Sequence, residues 1–198
     1  KIGEDIDGEF ALDESGYSIS LSSDGSVIAI GAPYNDANGN RSGHVRIFKN
    51  VNDTWTQVGS DIDGEAADDH FGKRVSISAD GSVVAVGSPY SSERDTQYRG
   101  YVRIYQNIDG NWTKLKNDIE AEAEGDSTSS LSLSSDGSVI AIGAYLNDGV
   151  NGIDSGHVRV FQTGVSIGPL QKTNTGEGTF SINGTAEVGN TLSINEDT

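Results

Sequence analysis

The sequence predicts an all-β protein, an array of similar four-stranded units laid side by side. Three observations carry that expectation. The stretch SLSSDGSVIAIGAP at 20–33 returns as SISADGSVVAVGSP at 76–89 and as SLSSDGSVIAIGAY at 132–145. Apolar residues fall in short alternating runs, separated by Gly, Asp, Asn and Ser, as strands and turns require. No window sustains a helical period.

The repeat has fixed markers and free spacers. Asp24, Asp80 and Asp136 stand 56 residues apart, and Gly31, Gly87 and Gly143 keep that step. Arg46, Arg103 and Arg159 of HVRIF, YVRIY and HVRVF follow with steps of 57 and 56. Lengths change only between these markers, in YNDANGNRSG, YSSERDTQYRG and YLNDGVNGIDSG. Such a pattern describes one supersecondary unit with interchangeable loops.

Within the first unit a strand is expected near 17–22, with Ile19 and Leu21 on one face. Asp24-Gly25 then supplies the positive-φ dipeptide of a tight hairpin. The second strand, 27–31, is almost wholly apolar and therefore buried on both faces. A third strand runs over 44–49, and a fourth over roughly 54–59 around Trp55. Four strands in a period near 56 describe a blade of a β-propeller-type array, because one blade cannot bury both of its faces alone. The chain holds about three such blades, approximately 1–57, 58–114 and 115–163. Rings have typically 4 to 8 blades, so three make a partial ring, or a ring completed by other chains or by more of the same chain.

DDHFGKRVSISADGSVVAVGSP, residues 68–89, resembles the FG-GAP repeat, the blade of integrin alpha-chain propellers and of many bacterial surface proteins. Phe71-Gly72 stands for the FG, and Gly31-Ala32-Pro33 or Gly87-Ser88-Pro89 for the GAP. The first copy has Ser15-Gly16 instead, the third has Thr128 in place of the glycine, and Tyr145 replaces the proline. The resemblance implies a propeller fold and an extracellular, secreted or cell-surface setting. It does not imply calcium at the family's usual place, since the DxDxDG loop of calcium-binding blades is here only SxDG.

The opening KIGEDIDGE matches QVGSDIDGE at 57–65, so the chain begins inside what would be the last strand of a preceding blade. In closed propellers that shift lets an N-terminal strand complete the last blade. The third copy never reaches the tryptophan strand marked by Trp55 and Trp112. Residues 164–198 leave the repeat as an extended tail: a Gly/Thr linker, then TFSINGTAEVGNTLSI, which looks like the first strands of a bacterial Ig-like or cadherin-like segment. Propeller followed by Ig-like modules is typical of large bacterial adhesins.

Composition narrows the partners. The net charge of −17 over 198 residues repels phosphate backbones and disfavours nucleic acid. With no cysteine, disulfides, thiolate metal sites and cysteine nucleophiles are excluded. No apolar run reaches the roughly 20 residues of a membrane helix. P-loop, GxGxxG and HExxH motifs do not occur.

The most regular acidic feature is Glu-x-x-x-Asp before each first strand: Glu9 with Asp13, Glu65 with Asp69, Glu122 with Asp126. Its recurrence points to a structural brace, the acids holding backbone N–H groups or pairing with the repeated arginines. The variable loops offer Asp36, Asn38 and Asn40, and Asp148, Asn151 and Asp154, as candidate calcium ligands, since calcium takes six to eight oxygens. Tyr34, Tyr90, Tyr98 and Tyr145 are the candidate ligand-binding aromatics. His44 and His157 share a strand position that Tyr101 fills in the second copy, and packing or a hydrogen bond is expected there. The two tryptophans are assigned to packing within or between blades.

The expected function is a non-catalytic adhesion or binding module that recognises protein or glycan through its blade loops, with no cofactor required beyond optional Ca2+. A structural spacer, or a self-assembling filament or appendage subunit that binds copies of itself, is the alternative. A glycan-degrading enzyme ranks last, because paired carboxylates repeated in every copy do not single out one acid–base pair.

Overall fold

A computed structural model describes residues 1–89, 100–123, 126, 128 and 130–165, together with the backbone of 180–182 and 194–196. The chain divides into a unit of residues 1–165 and a second of 166–198. Among the described residues there is no helix.

The first unit holds three antiparallel sheets, one per repeat. Strands β1 (Ser18–Leu21), β2 (Val27–Ala32), β3 (His44–Val51) and β4 (Thr54–Gln57) form a meander. The short β5 (Ile62–Asp63) pairs with the start of β3, beside β4, which pairs with its end. The second sheet repeats this plan with β6 (Arg74–Ile77), β7 (Val83–Ser88), β8 (Tyr101–Ile108), β9 (Asn111–Lys114) and β10 (Ile119–Glu120). The third has β11 (Ser130–Leu133), β12 (Val139–Ala144) and β13 (His157–Gln162). In the second unit β14 (Phe180–Ile182) and β15 (Ile194–Glu196) pair antiparallel. The rest of the expected Ig-like stretch lies outside the described residues. The architecture is an all-β, propeller-type array.

The sheets pack face on face, and the period-2 alternation of strands decides which side chain serves which interface. Val84 and Val86 of β7 join Val27, Ala29, Val45 and Ile47 of the first sheet in one buried cluster. Val83 and Ala85, their neighbours in sequence, point the other way and meet Ile140 and Ile142 of the third sheet. The central strand of the middle sheet is thus buried on both faces, as its apolar run predicts.

Turns and glycines lock neighbouring sheets in register. The hairpin after β1 is longer than the two-residue turn expected. Ser22 and Val27 close it by Ser22 N–H to Val27 O at 2.8 Å, and only Gly25 of the dipeptide has positive φ. Asp24 serves as a side-chain cap, its carboxylate accepting from Ser22 Oγ (2.7 Å), Ser26 N (2.9 Å) and Ser26 Oγ (2.9 Å). Successive turns are then chained: Ser23 N–H donates to Ala79 O and Ala79 N–H to Ser135 O. Gly31 of the first sheet meets Gly72 of the second so closely that a Cβ on Gly31 would lie 2.0 Å from the Gly72 carbonyl oxygen. The two halves of the FG-GAP pattern are therefore the two sides of one interface.

Two apolar faces stand open. Ile19 on β1 is 65% exposed, whereas Val75 and Leu131, its counterparts on β6 and β11, pack into the intersheet clusters. On β13 Val158 is 69% exposed, whereas its counterparts Val45 and Val102 are buried. The N-terminal segment does not complete the third sheet. It lies against the first, where Trp55 Nε1 donates to Ile2 O (3.1 Å) and Arg46 Nη2 to Asp7 O (2.6 Å).

Candidate functional site

The repeated acids divide their work. Asp13, Asp69 and Asp126 are buried. Asp13 accepts from Phe10 N (3.3 Å), Asp69 from Glu65 N and Ala66 N, and Asp126 from Ala123 N (3.1 Å). Each carboxylate also takes one side-chain donor: Asn35 Nδ2 at 2.8 Å, Tyr101 OH at 2.9 Å and Asn147 Nδ2 at 2.6 Å. Where the middle copy lacks the asparagine, the Tyr101 hydroxyl takes over. Glu9, Glu65 and Glu122 instead meet the arginines, at 3.8 Å from Arg46, 2.6 Å from Arg103 and 3.4 Å from Arg159.

Arg103 is the most embedded of the three. It forms a two-pronged pair with Asp118, Nε to Oδ1 and Nη2 to Oδ2 at 3.0 Å each, and lies 4.5 Å from the Tyr101 ring centroid. Lys114 Nζ reaches the same Asp118 at 2.5 Å. Burial pushes the Tyr105 hydroxyl up to about 12, so it stays protonated across the physiological range.

The loop between β2 and β3 is clasped by the acidic loop that enters the second sheet. Asn38 Nδ2 donates to Gly64 O (3.0 Å), Asp68 N to Asn40 O (2.7 Å) and His70 N to Arg41 O (3.0 Å). Tyr34 is half-buried here, edge-on to His70 with centroids 5.3 Å apart, next to Tyr17 at 6.3 Å, and with Arg41 5.8 Å from its ring. Burial pulls the His70 pKa down, and its Nδ1 donates to Asp68 O at 2.9 Å. Among the described residues this aromatic and cationic patch occurs at the first sheet boundary, and Leu146 stands at the Tyr34 position in the third copy. Tyr145 is exposed, as are Val150 and Ile153 in the third sheet's loop. Tyr90 and Tyr98 lie outside the described residues.

The loop residues proposed from sequence as calcium ligands are exposed in both copies. Asp36 Oδ1 accepts Arg41 N–H (2.7 Å) and Asp148 Oδ1 accepts Asp154 N–H (2.9 Å), so each acid closes its own loop. At the Asp-Gly turns, where SxDG stands in place of the DxDxDG loop of calcium-binding blades, the carboxylates of Asp24, Asp80 and Asp136 are occupied by the serines on either side. One carboxylate engaged by its own turn does not fit a calcium ion.

A second constellation escapes the repeat. Among the described residues, Glu9, His44 and Asp61 are the one imidazole–carboxylate trio whose ligand atoms gather within 4.8 Å of one another. His44 Nδ1 is 3.9 Å from Glu9 Oε2 and 4.0 Å from Asp61 Oδ2. The position shared with His157 and Tyr101 leads one to expect packing or a hydrogen bond for His44, yet its Nδ1 is buried with no hydrogen-bond partner. The signal in the sequence was Gln57 and His44 standing where the second copy has Lys114 and Tyr101. Gln57 donates to Asp61 Oδ1 at 2.6 Å, a neutral partner where Asp118 has the cation Lys114, and His44 sets an imidazole beside the other oxygen.

Comparison with known proteins agrees with this architecture. Residues 7–48 match the FG-GAP repeat family, a segment that runs from the N-terminal acids into β3. No curated protein matches the sequence. Among solved structures, the complex of KlAtg21 with the coiled-coil of AgAtg16 is similar at 13% identity and a TM-score of 0.50, over 89% of this chain and 49% of that one. A Bacteroides uniformis protein provisionally assigned as a 6-phosphogluconolactonase follows at 14% identity and a TM-score of 0.44, over 89% of this chain and 39% of the other. The tricorn protease aligns at 12% identity and a TM-score of 0.41, over 70% of this chain and 12% of its own. The chain spans about half the length of the first of these structures, and at such identities the likeness concerns fold alone.

Proposed function

We propose that this chain is a non-catalytic binding module of a secreted or surface-displayed protein, and that it recognises protein or glycan through the loops between the second and third strands of its blades. The observation that carries this reading is the Tyr17–Tyr34–His70–Arg41 patch. It offers aromatic faces and a guanidinium at one rim, on a loop clasped from the next sheet and so held in place before a ligand arrives. Catalysis is disfavoured because the recurring carboxylates are engaged in bracing loops and pairing arginines. Calcium, if it binds the exposed loops, is an accessory to recognition.

The test is a glycan and protein binding screen with the native chain, followed by Tyr34→Ala and Arg41→Ala. Each substitution is expected to weaken the selected ligand about tenfold or more, the scale of a truncated binding hot spot. The melting temperature should stay near that of the native chain. A ligand whose affinity ignores both changes would refute this surface.

A second reading, a self-assembling subunit, is favoured by one different observation. The open apolar faces on β1 and β13 are counterparts of the two sides of a buried intersheet contact. A face of that kind at each end suits head-to-tail stacking of one copy on the next.

A further inference from the structure

We propose that Glu9, His44 and Asp61 bind a divalent transition-metal ion of the zinc type, with His44 Nδ1 and one oxygen of each carboxylate as protein ligands. The site lies where the N-terminal segment, the first residue of β3 and the approach to β5 converge.

Two observations beyond the acids themselves point to a cation. His44 is 1% exposed, and its Nδ1 has no hydrogen-bond partner although two carboxylates face it. Buried polar atoms are otherwise paired almost without exception. Asp63, directly across the β3–β5 pair from His44, also carries a buried, unpartnered oxygen, Oδ1. Gln57 Nε2 donates to Asp61 Oδ1 (2.6 Å) and Arg46 Nη1 stands 3.8 Å from Glu9 Oε1, which leaves the other oxygen of each acid, Asp61 Oδ2 and Glu9 Oε2, turned toward the unpartnered His44 Nδ1.

A proton on Nδ1 fills the place less well. An imidazolium N–H would stand 3.9 and 4.0 Å from the two oxygens, beyond hydrogen-bond reach. Zinc bonds of about 2.0–2.2 Å set neighbouring ligand atoms roughly 3.4 Å apart. The two His44–carboxylate distances need contract by only about half an ångström to reach that spacing, and Glu9, with its side chain 34% exposed, has room to swing inward. A neutral imidazole with two carboxylates carries two negative charges, matching a divalent ion. Nitrogen in the donor set selects zinc-like ions over calcium, which takes oxygen ligands. Water completes the shell on the open Glu9 side.

The site is peculiar to the first blade. In the second, Tyr101 replaces the histidine and donates to Asp69, and Asp118 is engaged by Arg103 and Lys114. In the third, His157 with Glu122 at 3.7 Å offers two ligands among the described residues.

The test uses the whole chain, stripped with a chelator and titrated with Zn2+ by calorimetry and with Co2+ by visible absorption. One equivalent should bind, raise the melting temperature, and survive a large excess of Ca2+. Zinc should shift the His44 imidazole nitrogen resonance and leave that of His157 in place. Glu9→Gln and Asp61→Asn, both on partly exposed side chains and expected to fold, should each weaken binding about tenfold or more. His157→Gln should not change it. Unsaturable zinc binding, a stoichiometric site indifferent to both Glu9→Gln and Asp61→Asn, or displacement by calcium would each overturn the assignment. Should His44→Gln fail to fold, the two carboxylate variants decide the question alone.

Discussion

At the scale of single residues, the most repeated device is the aspartate of the Asp-Gly turn. Hydrogen bonds from Ser26 and Ser22 hold Asp24 down at about 2, and those from Ser134 and Ser138 do the same for Asp136. For Asp80 burial works in the opposite direction, but Ser78 and Ser82 prevail and its pKa is also lowered. A depressed folded pKa means that the unfolded chain binds the proton more readily. These turns therefore contribute stability that is fully present above the ordinary value of 3.8 and lost as the pH falls toward about 2. Urea unfolding at about pH 5 and about pH 2.5 should show a drop in midpoint for the native chain. The combined variant Asp24→Asn, Asp80→Asn, Asp136→Asn should show a clearly smaller drop. Equal drops would mean that the turn carboxylates are not the acid-sensitive groups.

At the scale of elements, the contact between sheets is set by backbone closeness more than by side-chain chemistry. Gly31 of β2 faces the Gly72 carbonyl, and Gly72, at φ +87°, would carry a Cβ 2.4 Å from His44 O. Neither position has room for a methyl group, because the obstructing atoms are backbone. Gly143 holds the same place on β12, but a Cβ there would meet only the movable Ser130 Oγ at 2.5 Å. Gly31→Ala is expected to cost about 2–4 kcal/mol, and Gly143→Ala about 1 kcal/mol or less. Chemical unfolding of the two variants side by side measures the difference. A Gly143→Ala cost equal to that of Gly31→Ala would show that a further blade stands against the third sheet in solution. The tryptophans work between elements in the same manner: Trp112 Nε1 donates to Val58 O (2.8 Å) as Trp55 does to Ile2 O, one blade's last strand pinning the segment before it.

At the scale of the whole molecule, the open faces of β1 and β13 set the expected behaviour. Each buried Val or Ile in an intersheet cluster is worth about 1.5–3 kcal/mol, and the same kinds of residue lie bare at both ends. Light scattering of the chain should show association that grows with concentration. The pair Val158→Lys and Val160→Lys should return it to a monomer with an unchanged circular dichroism spectrum. A native chain that stays monomeric at high concentration would remove the self-assembly reading and leave the binding module standing.

The period, the strand positions and the burial of β2 and β7 were legible in the residues alone, because alternation and Asp-Gly turns act over a few neighbours and repeat in every copy; β12, with the same VIAIGA sequence as β2, is fully buried on one face only, since burial depends on what stands against the sheet. The brace formed by Asp13, Asp69 and Asp126 was legible for the same reason. Which side chains meet across sheets was not. Sequence distance says nothing of whether Glu9, His44 and Asp61 converge, whether Tyr34 finds His70, or which glycine lies under a neighbour's carbonyl. Those contacts arise only when one blade stacks on the next. The local code therefore wrote each blade, and the packing of unlike copies created the features that distinguish the first blade from the others.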